Sequence, residues 1–267
     1  MEVAESLIVE EGDARMPGYG AFIRDAQGLL LLDSSDPAHL GQISSLFDFS
    51  SHSLPDDAVA WAGLARMEGM KDKPHLDSGR EIDLWKKAIA ADPRRAEFLL
   101  GLAKAYRRAG KLSEAIAQDR AAVREDPSFG LAFTDLGICL DADHKSAEAA
   151  AAWEQGMRIP ESAEFAGWLQ GTHEYDARHY PQALSSLLTS TAAAEKAGDW
   201  VDPNQAEAWF RIACIYSIQH KEEEGKDALQ HANRAGLHEI ARFLHEPALR
   251  WLLERVKIDK VVAEGKP

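Results

Sequence analysis

The sequence predicts an all-α protein built from antiparallel helix pairs. Of its 267 residues, 45% are hydrophobic and 28% are charged, which is typical of a globular chain. Leu, Ala, Glu, Lys and Arg dominate after about residue 58 and β-branched residues are scarce there, which favours helices over strands. A pattern of large and small apolar residues also recurs about every 34 residues, a period that is typical of stacked helical repeats.

The N-terminal segment, residues 1–57, differs in character from the rest of the chain. It contains eleven Asp or Glu residues against Arg15 and Arg24, which accounts for −9 of the formal net charge of −14. Two short apolar runs, at residues 21–23 and 29–32, are compatible with either a small β-hairpin or a helix. Apolar residues at helical spacing predict a helix within residues 37–49. We therefore treat residues 1–57 as an acidic accessory segment.

The clearest repeat unit lies within residues 96–129. Gly110 separates two stretches of helical periodicity, and Pro127 prevents the second helix from continuing. Large side chains are placed to fill the seam between the helices, and small ones let the helices approach each other. The large residues are Leu99, Leu102 and Tyr106, and the small ones are Ala103, Ala115 and Ala122. The order is helix, turn, helix and stop.

Four further windows follow this order, so residues 58–236 are predicted to form an array of about five repeats. These windows are recognised by Trp61, Gly130, Glu164 and Ala206 near their starts. The earliest has a long loop between its helices, around residues 71–79. In the window from Glu164, the second helix is expected to run on to about Ala197.

The array resembles the tetratricopeptide repeat in five spaced copies. An unrelated helical bundle with the same spacing by chance is the alternative. The resemblance implies a right-handed α-solenoid, in which the first helices of successive repeats line a concave groove that binds a partner.

Residues 237–267 are expected to form a capping helix and a tail. An open last repeat would expose apolar surface, so such arrays need a terminal cap. Six apolar residues at helical spacing are expected to pack on the last repeat: Ile240, Phe243, Leu244, Trp251, Leu252 and Val256.

Charge excludes several classes of partner. Phosphate binding needs clustered Lys and Arg, so a net charge of −14 argues against nucleic acid and anionic membrane surfaces. Residues 1–11 are acidic and lack the pattern of a signal peptide, and the longest apolar run is too short to cross a bilayer. We expect a cytoplasmic protein.

No combination of residues predicts an enzyme, a metal site or a cofactor. Cys139 and Cys214 have no further ligands at zinc spacing and are expected to be reduced thiols. The densest polar cluster fits no standard metal site, and on the repeat interpretation it is a solvated turn. It consists of His173, Glu174, Asp176 and His179.

The resemblance places the candidate binding residues on the first helices, at positions that face away from the helix seam. These positions are Arg66, Leu100, Lys104, Arg107, Thr134, Ile138, Asp141, Trp168, Thr172, Tyr175, Phe210, Cys214 and Ser217. The set runs from basic to aromatic, and exposed aromatic side chains are typical of interfaces. The alternative is that the aromatic residues pack against a neighbouring repeat or against residues 192–203.

The function expected from these features is that of a scaffold or adaptor, which binds a peptide or a partner helix in the groove. An alternative is a regulatory subunit of an enzyme or secretion complex that docks through residues 1–57. A homo-oligomer is compatible with either role. The acidic segment either covers the basic half of the groove or serves only solubility.

Overall fold

The computed structural model describes residues 40–70, 78–198, 203–237 and 244–256, and all regular elements within these ranges are helical. The predicted all-α fold is confirmed, and it is built from helix pairs of the solenoid class. The chain divides into two compact units, Met1–Pro127 and Ser128–Pro267. The apolar runs at residues 21–32, for which a hairpin or a helix was predicted, lie outside the described residues.

The described part of the first unit contains two helix pairs preceded by one further helix. Its helices are α1 (Leu40–Ser53), α2 (Ala58–Met70), α3 (Ser78–Ala91), α4 (Ala96–Arg108) and α5 (Leu112–Glu125). α2 packs on α3 and α4 packs on α5, while α3 also contacts α4 and so joins the two pairs. Asp57 caps the start of α2, because its carboxylate accepts from the backbone N–H groups of Val59 and Ala60 at 3.0 and 3.2 Å.

Helix α1 confirms the helix predicted within residues 37–49 from Leu40 onward, and it packs on the first repeat. Ile43 and Phe47 are fully buried, in a cluster with Met67 of α2. The ring of Phe47 lies 2.5 Å from the point that a Cβ atom on Gly63 would occupy, so only glycine allows this approach. Part of the acidic segment is therefore packed against α2.

The described part of the second unit contains three helix pairs and a short closing segment. Its helices are α6 (Gly130–Ala142), α7 (Ser146–Met157), α8 (Ala163–Asp176), α9 (Tyr180–Ala197), α10 (Pro203–Ile218) and α11 (Glu222–Arg234), followed by α12 (Arg250–Leu253). Each odd-numbered helix from α7 to α11 packs on the helix before it, and α7 and α9 also contact the first helix of the next pair. The described helices from α2 to α11 thus form five pairs, two in the first unit and three in the second.

In the four pairs whose turns are described, the turn has the same backbone conformation. Gly110, His144, Arg178 and His220 have φ values of 71°, 59°, 63° and 59°, in the left-handed region. In each turn, the N–H of the following residue donates to the carbonyl five residues earlier, at 2.8 to 2.9 Å, as in a Schellman motif. The first three positions are evenly spaced along the chain, and His220 follows after a longer interval because α9 is extended to 18 residues.

The described part of the closing segment differs from the single capping helix that was predicted. A single helix was expected from Leu237 onward, but Pro247 starts a 3-10 turn at Pro247–Leu249, and α12 has only four residues. Leu249 and Leu252 are fully buried against α10 and α11. Leu244 was expected to be buried and is 57% exposed.

The remaining predicted cap residues differ in their placement. Trp251 and Val256 are half-buried against the core of the second unit, whereas Ile240 and Phe243 lie outside the described residues. None of the helices in the described ranges is long and apolar enough to span a membrane.

Candidate functional site

The first helices of the second unit form a continuous surface. Asp141 of α6 lies 3.2 Å from His173 of α8, measured from Oδ1 to Nδ1. Asp176 of α8 pairs with Arg211 of α10 at 2.9 Å, and Gln205 of α10 donates to Glu164 of α8 at 2.8 Å. We call the solvent-facing residues of α6, α8 and α10 the first-helix face.

In the first unit, three of the four predicted binding residues reach solvent. Arg66 is exposed, while Lys104 and Arg107 are half-buried. Leu100 was predicted to face a ligand, but its side chain is buried, so that prediction is wrong. An apolar side chain that is already removed from water gains little from binding a partner.

In the second unit, four predicted binding residues are buried, which corrects their assignment. Thr134 turns its hydroxyl back to the carbonyl of Gly130, at 3.0 Å. Phe210 belongs to the hydrophobic core together with Cys214, which has no exposed surface. Ser217 is covered by the closing segment, because its hydroxyl accepts from the backbone N–H of Leu252 at 3.3 Å.

Tyr175 was predicted as a binding residue, and it is occupied by internal contacts. Its ring meets the edge of Tyr180 at 5.8 Å between centroids, and the guanidinium of Arg211 lies 4.9 Å from its centroid. Burial raises the pKa of Tyr175 far above its usual value, and the neighbouring Cys214 raises it further. The side chain of Tyr175 therefore packs beneath the first-helix face.

The side chain of Arg211 links α10 to α8. Its Nη1 lies 2.9 Å from Asp176 and its Nε lies 3.0 Å from Glu207. Burial alone would lower the pKa of Arg211, but the hydrogen bond to Asp176 and the charge of Glu207 outweigh it, so the pKa is raised. The guanidinium is thus fixed by two carboxylates and one ring.

Burial also controls the thiol of Cys214. Desolvation raises its pKa to about 12, and the negative charges of Glu246 and Glu207 act in the same direction, while the hydrogen bond with Tyr175 opposes them. A thiol with such a pKa stays protonated at neutral pH, so Cys214 is a packing residue and a poor nucleophile.

The remaining predicted residues of the second unit are partly exposed and lie on neighbouring helices. They are Ile138 and Asp141 on α6, and Trp168 and Thr172 on α8. Thr172 follows Trp168 by one helical turn, so both lie on the same side of α8. Ile138 and Thr172 occupy equivalent positions in successive repeats.

Three exposed apolar residues on the first helices of the second unit were not predicted from the sequence: Leu131 on α6, Phe165 on α8 and Ile218, which ends α10 and is 37% exposed. Leu131 is 45% exposed and Phe165 is 38% exposed, and each lies one turn before a predicted residue, Thr134 or Trp168. The ring of Phe165 stacks on that of Trp168, at 5.7 Å between centroids and 12° between planes. Leu131 and Phe165 are separated by one repeat period, and this recurrence of a large apolar side chain was the available signal.

Two polar atoms beneath this surface have no hydrogen-bond partner among the described residues. They are the indole Nε1 of Trp168 and the hydroxyl of Thr172, and both are shielded from solvent. Nearly all buried polar atoms in folded proteins are paired, so such atoms call for an explanation.

The polar cluster on α8 and the following turn is held in internal contacts rather than arranged around a common point. His173 faces Asp141 and lies 5.8 Å from the Trp153 ring, and Glu174 accepts hydrogen bonds from Gln170 and Ser186 at 3.0 Å each. Asp176 is held by Arg211. A solvated turn was predicted here, but His173, Glu174 and Asp176 belong to helix α8, and of the four residues only His179 lies in the turn that follows.

Comparisons with known proteins agree with this fold. No protein-family model matches the chain. The small glutamine-rich tetratricopeptide repeat-containing protein 2 of Mycosarcoma maydis is 30% identical over 109 residues, which are 41% of this chain and 31% of that protein. The chain thus matches less than a third of the length of this curated relative.

Solved structures extend the likeness over most of the chain. The structure of PilF from Pseudomonas aeruginosa matches with a TM-score of 0.66 at 16% identity, covering 84% of this chain and 96% of PilF. The type IV pilus biogenesis factor PilW matches with a TM-score of 0.62 at 16% identity, covering 87% and 98%. MamA matches with a TM-score of 0.52 at 18% identity, covering 68% and 93%. At these identities the likeness shows a common fold.

Proposed function

Because this chain is a tetratricopeptide-repeat protein, we propose that it is a non-enzymatic scaffold or adaptor whose first-helix face in the second unit binds a peptide or a helix of a partner protein. The observation that carries the proposal is an apolar set on neighbouring helices, in which Leu131 and Phe165 are exposed and Trp168 is partly buried beside Phe165. A fold of this kind places such residues on a rigid support, so little entropy is lost when a partner binds.

The burial pattern supports this choice of surface. The helix seams are filled by fully buried residues such as Leu187 and Leu229, so Leu131 and Phe165 are not needed to complete the core. Aromatic side chains in the centre of an interface carry much of its binding energy, and truncation of one such anchor typically costs about 2 kcal/mol or more. Exposed leucine and phenylalanine side chains are also costly to keep in water without a partner.

Site-specific photo-cross-linking in the native cell tests the surface. A benzophenone amino acid is placed at Phe165 and, as the matched control, at Ala151, which is exposed on the second helix α7. We expect a discrete cross-linked partner from position 165 and none from position 151. Equal cross-linking from both positions, or from position 151 alone, would contradict the proposed surface.

The stoichiometry of the cross-linked complex separates the two roles considered for the protein. A scaffold or adaptor is expected to yield partners at varying ratios, whereas a regulatory subunit of one complex is expected to co-purify with a single partner at a fixed ratio. Mass spectrometry of the complexes purified from native cells measures this ratio.

A further inference from the structure

The three first helices of the second unit are strongly acidic. Together they carry six acidic residues, and Arg211 is their only Lys or Arg. The acidic residues are Asp135, Asp141, Glu164, Glu174, Asp176 and Glu207. Asp135 is buried and does not belong to the first-helix face. Arg211, which is bound by Asp176 and Glu207, offsets only part of the charge of the other five acidic residues, so a surplus of negative charge remains on the face.

Two of these carboxylates reach solvent at the same end of the helices. The side chain of Asp141 is 39% exposed and that of Asp176 is 66% exposed, and both lie within the last turn of their helices. Asp141 has His173 as its partner, which carries a charge only when it is protonated. A cationic group at this end would therefore be attracted, because Arg211 neutralises the negative charge of these carboxylates only in part.

Leu131, Phe165 and Trp168 lie toward the opposite end of their helices, whereas the exposed Ile218 is the last residue of α10. Leu131 is the second residue of α6 and Phe165 is the third of α8, with Trp168 one turn further on. Trp168 and Asp176 are eight residues apart on α8, and Leu131 and Asp141 are ten apart on α6. At 1.5 Å per residue these separations are about 12 and 15 Å, a distance spanned by about four residues of an extended peptide.

The two unpartnered atoms lie at the apolar end and between the two ends, because Thr172 is one helical turn from Trp168 and one from Asp176. The indole N–H of Trp168 can donate to a peptide carbonyl, and the hydroxyl of Thr172 can donate or accept. An extended peptide exposes backbone groups of both kinds. Binding that shifts the surrounding side chains, including the exposed Phe165, would give both atoms a partner.

We propose that this face selects an extended peptide in which a large apolar or aromatic residue is followed or preceded, three to five residues away, by Lys or Arg. The inference rests on the proposed function and specifies the class of ligand. The apolar residue packs on Leu131, Phe165 and Trp168, and the basic residue meets Asp141 and Asp176.

The first helices of the other unit have the opposite charge. α2 and α4 carry four basic and two acidic residues. They are Arg66, Lys104, Arg107 and Arg108 against Glu68 and Glu97. A basic peptide is therefore disfavoured there. Lys86→Ala, at an exposed position on the second helix α3, serves as the matched control for substitutions on the first-helix face.

The test begins with a phage library of random dodecapeptides panned on the immobilised full chain at low ionic strength. The most enriched peptide is then synthesised, together with a peptide of the same composition in which the distance between the apolar and basic residues is changed. Fluorescence anisotropy measures the Kd of each for the unmodified chain and for Trp168→Ala, Trp168→Phe, Asp141→Asn, Asp176→Asn and Lys86→Ala. Circular dichroism confirms that each variant is folded, and Trp168→Phe keeps a ring while removing the N–H.

We expect enrichment of the basic and apolar pair at the stated spacing. Binding should weaken about tenfold or more in Trp168→Ala and two- to fivefold in each Asp→Asn variant. It should weaken with salt and with altered spacing, and stay unchanged in Lys86→Ala.

The outcomes that would contradict this proposal distinguish an error in the ligand class from an error in the proposed function. Enriched peptides that lack a basic residue, but still lose affinity in Trp168→Ala, would overturn the ligand class and leave the proposed function standing. If no substitution on the first-helix face changes the Kd of the enriched peptides, or if the library yields no enrichment, both the ligand class and the proposed function are contradicted.

Discussion

Glu81 of α3 and Arg108 of α4 form an ion pair that joins the two helix pairs of the first unit. The carboxylate of Glu81 is almost completely buried, and its second oxygen accepts from Arg108 Nε at 3.4 Å. The indole N–H of Trp85 also donates to Glu81, at 3.4 Å. A buried carboxylate held in this way depends on its partner, because no water replaces a lost charge.

We expect Arg108→Ala to lower the free energy of unfolding by about 3 kcal/mol, because it leaves the buried Glu81 carboxylate without its charge partner. The matched control is Arg94→Ala, which removes an exposed pair with Glu125 at 3.1 Å and should cost less than about 1 kcal/mol. Urea denaturation of both variants measures the difference. Equal losses would mean that the buried pair adds no more than a surface pair.

Helix α1 should contribute to the stability of the first unit although it lies in the acidic segment. Phe47→Ala removes a fully buried ring from its contact with Gly63 and should cost about 3 to 5 kcal/mol. Gln42→Ala, on the exposed side of the same helix, should change stability by less than about 0.5 kcal/mol. A small effect of Phe47→Ala in urea denaturation would show that α1 is not part of the folded unit.

The closing segment is expected to stabilise the last repeat through two leucines. Leu252→Ala should lower stability by about 3 kcal/mol, because the side chain is fully buried and lies 2.9 Å from the position of a Cβ on Gly225. Leu244→Ala should have little effect, since that side chain is exposed. Deletion of residues 237–267 should lower the melting temperature further, and an unchanged melting temperature would exclude a capping role.

The left-handed turn residues allow a stabilising substitution. Arg178→Gly should raise stability by up to about 1 kcal/mol, because glycine adopts a φ of 63° without steric cost. Gly110→Ala should lower stability by about the same amount, since φ there is 71°. Ala177→Gly, beside Arg178 but at a φ of −75°, should be destabilising, and thermal denaturation compares the three. Similar effects of Arg178→Gly and Ala177→Gly would contradict the strain argument.

Stability is expected to decline in alkali partly through Cys214. Its pKa of about 12 in the folded chain exceeds the ordinary value of 9.0, so between these pH values the unfolded chain loses a proton that the folded chain keeps. Stability is therefore lost as pH rises from 9 to 12, by at most about 1.4 kcal/mol per pH unit for one group. Urea denaturation at pH 8 to 11 should give a shallower decline for Cys214→Ala. Identical slopes would contradict this.

Local patterns predicted most of the fold because each repeat is encoded within a single short stretch of neighbouring residues. The helix seams follow from periodicity and the turn at Gly110 from glycine itself, but His144 and Arg178 adopt the same turn without that signal. Their conformation is imposed by the packing of the helices on either side. The candidate face was predicted in part, since Asp141, Trp168 and Thr172 do reach it.

The spacing of small and large apolar residues predicted helix pairs, because such residues act between helices that are adjacent in the chain. Which positions of the first helices remain exposed depends instead on contacts made in the folded chain. Ser217 is covered by Leu252, which belongs to the closing segment beyond the last repeat, and Tyr175 is occupied by Arg211 of the next repeat. Such coverage depends on contacts between residues that are far apart in the sequence, and a short repeat pattern cannot predict these contacts.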